Sequence, residues 1–307
     1  MKPPFANMAT RLHYEKNFYR YFYRAGTFEI LSQLQSYLGT RVGHVVAHLI
    51  AQLYTATHTE VVEVVRDNLS LLQKQPIPRK SAARVFKNFA EVLSDCFAVY
   101  HRSPNEAAQM CLDRQGNHIL QEAYRRGKGA ILATAHFGFF ELGSALLAEL
   151  GIPFTILTLP ESTNAMTEWR TKFRTHWNAE SIVIGSDPFS SLEAVRALQQ
   201  GRFVAMLVDR PADQRSLIVD LPGGRTPFSL AAAVLANLAK CPIIPVAIWK
   251  TNPLYRMHTH EPIWVNNQGS TSRLLALEEA THKVAQSLLQ NIIQAPEQWY
   301  QFIPIRA

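Results

Sequence analysis

Apolar positions recur at helical spacing through the first third of the chain. Val42, Val45, Val46, Leu49, Ile50 and Leu53 form one such run, and Val61, Val64, Val65, Leu69 and Leu72 form another. Gln75-Pro76-Ile77-Pro78 interrupts the rhythm, because proline cannot continue a helix. Val85, Phe86, Phe89, Val92, Leu93 and Phe97 then resume it. The pattern predicts helices from Phe28 to Arg126, packed as one unit on the rest of the chain. The apolar stretch Phe28 to Thr57 is broken by Glu29, Gln33, Gln35, Arg41, His44 and His48. A spanning helix needs about 20 mostly apolar residues, so no transmembrane span is expected.

At Gly127-Lys128-Gly129 the period changes. Short apolar runs at Ala130–Ala135, Phe154–Thr158, Ser181–Ile184, Phe203–Val208 and Ile243–Ile248 read as strands. Between them lie helical stretches near Glu141–Leu150, Ala165–Trp177, Pro188–Gln200 and Ser229–Ala239. Tyr255–Val265 reads as a further strand and Ser272–Gln294 as a last long helix. Alternating strands and helices predict an α/β fold, with a largely parallel sheet flanked by helices. The expected organisation is a helical N-terminal region, residues 1–126, on an α/β core, residues 127–307.

Composition narrows the class. The chain has 307 residues, 47% hydrophobic and 18% charged, enough for a full core and unlike a disordered protein. Its net charge of +7 suits an anionic partner: nucleic acid, an acidic membrane face or an acidic carrier protein. No nucleic-acid recognition motif accompanies that charge, so no nucleic-acid partner is expected. Cys96, Cys111 and Cys241 are too widely spaced for a metal site and odd in number, which points to a reducing compartment. Phe18, Tyr19, Tyr21, Phe22 and Tyr23, interleaved with Arg20 and Arg24, suit a membrane-interface helix or a core with a charged rim. His44 and His48 lack a third ligand and read as buried or interfacial histidines; no metal site is expected.

The strongest candidate chemistry lies in Ala133-Thr134-Ala135-His136-Phe137-Gly138-Phe139-Phe140-Glu141. A buried strand ends at His136, and a helix begins near Glu141. Strand ends facing a helix N-terminus are where open α/β sheets hold ligands. An imidazole with a carboxylate in reach forms a general base and its orienter. Two carboxylates compete for that place. Glu141 lies five positions on; Asp209 follows the strand Phe203–Val208 and should reach the same sheet edge. Gly223-Gly224-Arg225-Thr226-Pro227 is a third candidate, where glycine amides and Arg225 would hold an anion. Arg210 is a further basic residue at the strand end.

The stretch Gly127-Lys128-Gly129 through Gly143 resembles the H-x-x-x-x-[DE] motif of the lysophospholipid acyltransferase superfamily. It is similar above all to the lipid A late (lauroyl/myristoyl) acyltransferase branch, which uses Glu in the acidic position. The likeness continues in order through Val65-Arg66-Asp67-Asn68-Leu69, Val208-Asp209-Arg210-Pro211, Leu221–Pro227 with Ala231–Ala236, Cys241–Val246 and Ala295–Tyr300. Two segments depart from it. An Arg-containing segment after the second strand is replaced by Leu159-Pro160-Glu161-Ser162-Thr163-Asn164, with no arginine before Arg170. After Trp299 the chain reads Tyr300-Gln301-Phe302-Ile303-Pro304 in place of the usual aromatic, His and Arg residues.

The resemblance implies an acyltransferase. It would move a fatty acyl group from an acyl carrier protein or coenzyme A thioester to a hydroxyl of a membrane lipid or glycolipid. The thioester is a substrate, and no cofactor is implied. His136 would be the base, Glu141 the favoured orienter with Asp209 the rival, and Arg225, Gly224 and Arg210 the substrate contacts. A peripheral place on the cytosolic face of a bacterial inner membrane is implied as well, against its anionic surface. The rivals are a thioesterase acting on the same donor and a non-catalytic lipid-binding protein of the same fold.

Overall fold

The computed structural model describes residues 25–161, 163–184, 189–211, 215–266 and 272–306. Helices α1 (Ala25–Thr57), α2 (Thr59–Gln73), α3 (Arg79–Val99) and α4 (Pro104–Ala108) come first. Gly39 interrupts α1 with a φ of 78°. Pro78 precedes α3 in extended geometry, as its fixed φ favours. After these come β1 (Cys111–Gln115), α5 (Asn117–Arg125), β2 (Ala130–Thr134), α6 (Leu142–Glu149), β3 (Phe154–Thr158) and α7 (Asn164–Thr175). Next are β4 (Glu180–Val183), α8 (Ser190–Gln199), β5 (Phe203–Leu207), β6 (Ser216–Leu221) and β7 (Gly224–Ser229). The chain continues through α9 (Ala231–Ala239), β8 (Ile243–Lys250), β9 (Tyr255–Thr259), α10 (Arg273–Gln294) and a 3-10 turn at Pro296–Gln298.

Seven strands form one sheet in the order β1-β9-β8-β2-β5-β3-β4, parallel except where β8 meets β9. The central strand β2 is buried on both faces, which is why its sequence is a continuous apolar run rather than an alternation. Leu132 belongs to the layer that holds Leu142 and Leu146 of α6. Ile131 and Ala133 belong to the opposite layer, with Ala236 of α9 and Leu288 of α10. Each such leucine or isoleucine side chain stabilises the fold by about 1.5–3 kcal/mol. Among the described residues no helix is long and apolar enough to cross a membrane.

The α/β architecture and the helical N-terminal region match the reading from periodicity. Three local expectations change. The stretch from Phe28 to Arg126 is not wholly helical, because β1 lies within it and extends the sheet beside β9. Its sequence, Cys-Leu-Asp-Arg-Gln, is too short and polar to announce a strand; an edge position tolerates that. The glycine-containing segment is part of an antiparallel hairpin, β6–β7, with Gly223 in the turn and Gly224–Pro227 in the second strand. The strand expected at Tyr255–Val265 ends at Thr259, with only a bridge from Ile263 to Ile243 beyond it.

The N-terminal helices are joined to the sheet by a polar knot. Asp95 of α3 is 1% exposed and accepts from Lys250 Nζ at 3.0 Å and Tyr255 Oη at 2.5 Å. His44 of α1 meets the same carboxylate at 2.6 Å. Glu91 takes Lys250 at 2.6 Å and His48 at 3.2 Å. The two histidines are therefore interfacial, and they fix the rotation of α1 about its own axis. The inward side of α1 carries Ala47, Ala51 and Tyr54. Its apolar run Val42, Val45, Val46, Leu49 and Leu53 faces outward. The segment containing Phe18 and Tyr23 lies outside the described residues.

Candidate active site

Parallel pairing of β2 with β5 puts Thr134 opposite Leu207. Two residues further on each chain stand His136 and Asp209. Neighbouring strands run about 4.8 Å apart, so side chains leaving the sheet at the same level meet. His136 Nδ1 lies 2.8 Å from Asp209 Oδ1, and the His136 backbone N–H donates to Asp209 Oδ2 at 3.0 Å.

The loop behind His136 is held on both sides. Tyr300 N–H donates to the His136 carbonyl at 2.7 Å, Gly138 N–H to the Gln298 carbonyl at 2.9 Å, and Phe139 N–H to the Ile248 carbonyl at 2.9 Å. Gly138 has a φ of 57°, and a Cβ there would lie 2.0 Å from the Ile248 carbonyl oxygen. Only glycine fits so close an approach in this left-handed conformation. The small residue in the motif is therefore a positional requirement for the imidazole.

Asp209 is 2% exposed, yet both of its oxygens are engaged. Besides His136, Oδ2 accepts from Trp299 Nε1 at 2.8 Å and Gln301 Nε2 at 2.7 Å. Burial by itself would push this carboxyl up. The charge and hydrogen bond of His136, then Arg210 and Trp299, outweigh burial and hold it at about 2. Asp209 is thus an anion fixed in orientation. The donor from Nδ1–H to this anion leaves the lone pair of a neutral imidazole on Nε2. The His136 side chain is 23% exposed, and Nε2 has no hydrogen-bond partner among the described residues. Burial and the positive charges of Arg210 and Arg170 pull the imidazole below its ordinary 6.5, against the opposing pull of Asp209. The ring is therefore neutral near pH 7 and able to accept a proton.

Glu141 does not face His136, which corrects the favoured pairing. Its carboxylate accepts from Arg170 Nη1 at 2.5 Å and Arg174 Nη2 at 3.0 Å. Arg170 also pairs with Glu161 at 2.8 Å. Burial raises the Glu141 carboxyl, but Arg174 and Arg170 reverse that and keep it ionised. Glu141 lies five positions after His136, and the start of α6 turns the two side chains apart. Glu141 instead meets α7, where Arg170 and Arg174 share a face four residues apart.

Arg210 lies against the site. Its Nε donates to Gln301 Oε1 at 2.8 Å, and its Nη2 donates to the Tyr300 carbonyl. The glycine segment behaves differently from the expected anion cradle. Gly223 N–H donates to the Leu71 carbonyl at 2.8 Å. A Cβ on Gly224 would sit 2.6 Å from Leu71 Cδ2. These glycines let the β6–β7 hairpin press on the end of α2. Arg225 is exposed opposite Asp220 on the hairpin and makes no hydrogen bond or ion pair with His136 or Asp209 among the described residues.

Sequence reasoning missed Trp299, Gln301, Asn68, Arg170 and Arg174 as parts of this arrangement. Asn68 donates to the Gln301 and Ile303 carbonyls at 2.9 and 2.8 Å and accepts from Ile305 N–H at 3.2 Å. It fixes the C-terminal segment that fixes Asp209. The matching segments around Asn68 and Trp299 carried the only sequence signal, since these contacts span more than 230 and about 90 positions along the chain.

On the α6 side of the sheet lies a cavity of about 80 Å³. Leu132, Ile156, Ala205 and Val246 from the strands and Leu146 and Leu147 from α6 give it apolar walls. Thr134, Phe140 and Glu141 also line it, so it comes up to the loop bearing His136.

Fold and site together define an α/β protein with an oriented imidazole–carboxylate pair at the ends of two parallel strands, above an apolar cavity. The chain matches the bacterial lipid A biosynthesis acyltransferase family over residues 9–304, and it belongs to that family. It is accordingly an acyltransferase of lipid synthesis. No curated protein matches the chain closely enough to count as a relative.

Proposed function

We propose that this protein transfers a fatty acyl group from a thioester donor to a hydroxyl of a membrane lipid or glycolipid, with His136 as general base. The observation that carries this reading is the His136–Asp209 pair, with Nδ1 held by a buried carboxylate and Nε2 open. The acceptor hydroxyl gives its proton to Nε2 as its oxygen attacks the thioester carbonyl. The tetrahedral intermediate then expels the thiolate, which takes the proton back from the imidazolium. Asp209 stabilises that imidazolium and keeps the ring in the right tautomer. Arg210 and Arg170 supply positive charge beside the developing oxyanion. The cavity receives the near part of the acyl chain.

The donor is acyl carrier protein or acyl-coenzyme A, both anionic and suited to a chain of net charge +7. Arg210 is assigned to the reacting carbonyl; Arg225, with Gly224 beside it, is left for a charged part of the substrate further out. The acceptor places the protein on the cytosolic face of the inner membrane, as a peripheral protein. The test is an incubation with labelled acyl donor and a bacterial lipid extract. A new acylated lipid is expected, and His136→Ala should remove about two to four powers of ten in rate. Release of free fatty acid without a labelled lipid would make the protein a thioesterase, and near-normal transfer by the variant would remove His136 as the base.

A further inference from the structure

Arg170 belongs to α7, yet two carboxylates from other segments hold it. Its Nη1 donates to Glu141 at 2.5 Å and its Nε to Glu161 at 2.8 Å. A guanidinium is a rigid planar fork on a long, flexible stem. One carboxylate leaves it free to swing about the contact. Two, on different edges of the fork, fix its plane and its reach. Glu161 is itself fixed. Its backbone N–H donates to Thr167 Oγ1 at 3.0 Å, and Thr163 caps α7 by accepting from Met166 N–H at 3.2 Å. The side chains of Arg170 and Glu161 are only 17% and 20% exposed, so solvent screens them less than a surface pair.

The clamp stands at the reacting edge of the sheet. Ile156 of β3 pairs with Ala205 of β5, which brings Thr158 level with Leu207 and so with Thr134 of β2. Glu161 follows the end of β3 by three residues, on the sheet edge that carries His136 and Asp209. Thr158, Phe140 and Glu141 line the cavity beside the His136 loop. Of the Arg170–Glu161 pair, Arg170 is the member whose charge acts on the imidazole, together with Arg210 and Asp209.

We propose that Glu161 is a positioning residue for acyl transfer: it holds the Arg170 guanidinium beside the reacting carbonyl, where Glu141 alone would let it turn away. The purpose of this clamp rests on the reaction proposed above, but one of its tests is a titration that needs no turnover. Two variants at this position separate holding from charge. Glu161→Ala removes the anchor, so Arg170 turns away and stops depressing the imidazole. The His136 midpoint should then rise toward that of Arg170→Gln. Glu161→Gln keeps an oxygen that accepts from Nε and deletes a negative charge, so its midpoint should stay at or below the wild-type value.

The experiment follows the His136 imidazole by NMR in the full chain carrying labelled histidine, its signal assigned by its loss in His136→Ala. The same proteins are assayed for kcat and KM with labelled acyl donor. Glu161→Ala should lower kcat about tenfold, with the donor KM little changed. That is less than the roughly hundredfold a misplacement of about 1 Å can cost, because Glu141 still holds Nη1. Glu161→Gln should recover most of the loss. In an Arg170→Gln background, Glu161→Ala should add nothing, since a residue that acts through Arg170 then has nothing to hold. A wild-type His136 midpoint in Glu161→Ala would overturn the proposal. Equal losses from Glu161→Ala with and without Arg170 would do the same, as would a lowered melting temperature with rate and midpoint unmoved. A chain that shows these midpoint shifts but transfers no acyl group would sink the proposed function and leave the clamp standing.

Discussion

Replacing Asp209 by Asn separates a positioning role in chemistry from a role in stability, and the hydrogen bonds indicate how. Oδ2 accepts from three donors, His136 N–H, Trp299 Nε1 and Gln301 Nε2, while Oδ1 meets only His136 Nδ1. An amide group placed at the Oδ2 position would oppose three buried donors, at about 1–3 kcal/mol each. Turned the other way, it opposes one, and that conflict vanishes if the imidazole moves its proton from Nδ1 to Nε2. The second orientation should win. The variant then folds, but its Nε2 carries a hydrogen and cannot take one from the acceptor. Transfer should fall by about two to four powers of ten. Exchanging charge-assisted bonds for neutral ones should cost roughly 2–4 kcal/mol, within the 5–15 kcal/mol of an ordinary domain. The assay pairs initial rates of labelled acyl transfer with thermal melting followed by circular dichroism. Glu141→Gln is the comparison. It leaves Arg170 and Arg174 without their shared carboxylate, so it should lower the melting temperature, with a cost of up to about 3–5 kcal/mol, and damage the chemical step far less. Turnover by Asp209→Asn within about threefold of the wild type would refute the reasoning, as would a Glu141→Gln protein with native melting and no chemistry.

The same geometry sets other outcomes. Because His136 must be neutral and its pKa lies below 6.5, kcat/KM should fall as pH drops through a midpoint under 6.5. Arg210→Gln removes a positive charge beside the ring and should move that midpoint upward; a downward shift in the pH–rate profile would contradict the electrostatics. Asp209, held at about 2 against an ordinary 3.8, contributes stability that is complete above 3.8 and lost as pH falls toward 2. In urea melts at a series of pH values, Asp209→Asn should flatten that part of the acid profile. Gly138→Ala introduces a Cβ against the Ile248 carbonyl and should reduce both stability and rate; a crystal structure with an unmoved His136 would count against the stated role of the glycine. Asp95→Ala leaves Lys250 and Tyr255 without their buried partner and should lower stability by about 3–5 kcal/mol in chemical denaturation, with the rate per folded molecule little changed.

The sequence by itself determined the secondary elements that have a period of their own. The continuous apolar run of β2 and the change of rhythm after Gly127 are local signals, and they suffice for an α/β protein with helices in front. The ordered motifs around His136, Asp209 and Trp299 also marked the right neighbourhood. Pairing lay beyond them. Whether Asp209 or Glu141 meets His136 depends on the register of β2 on β5, a relation between segments some seventy residues apart that no local pattern encodes. The roles of Trp299, Gln301 and Asn68 depend on where the C-terminal segment docks, which is decided by packing between distant parts of the chain. Helical spacing likewise revealed the stripe on α1 but not its direction. A 3.6-residue period fixes which residues share a face; His44 and His48, bonded to Asp95 and Glu91, fix which way that face is turned.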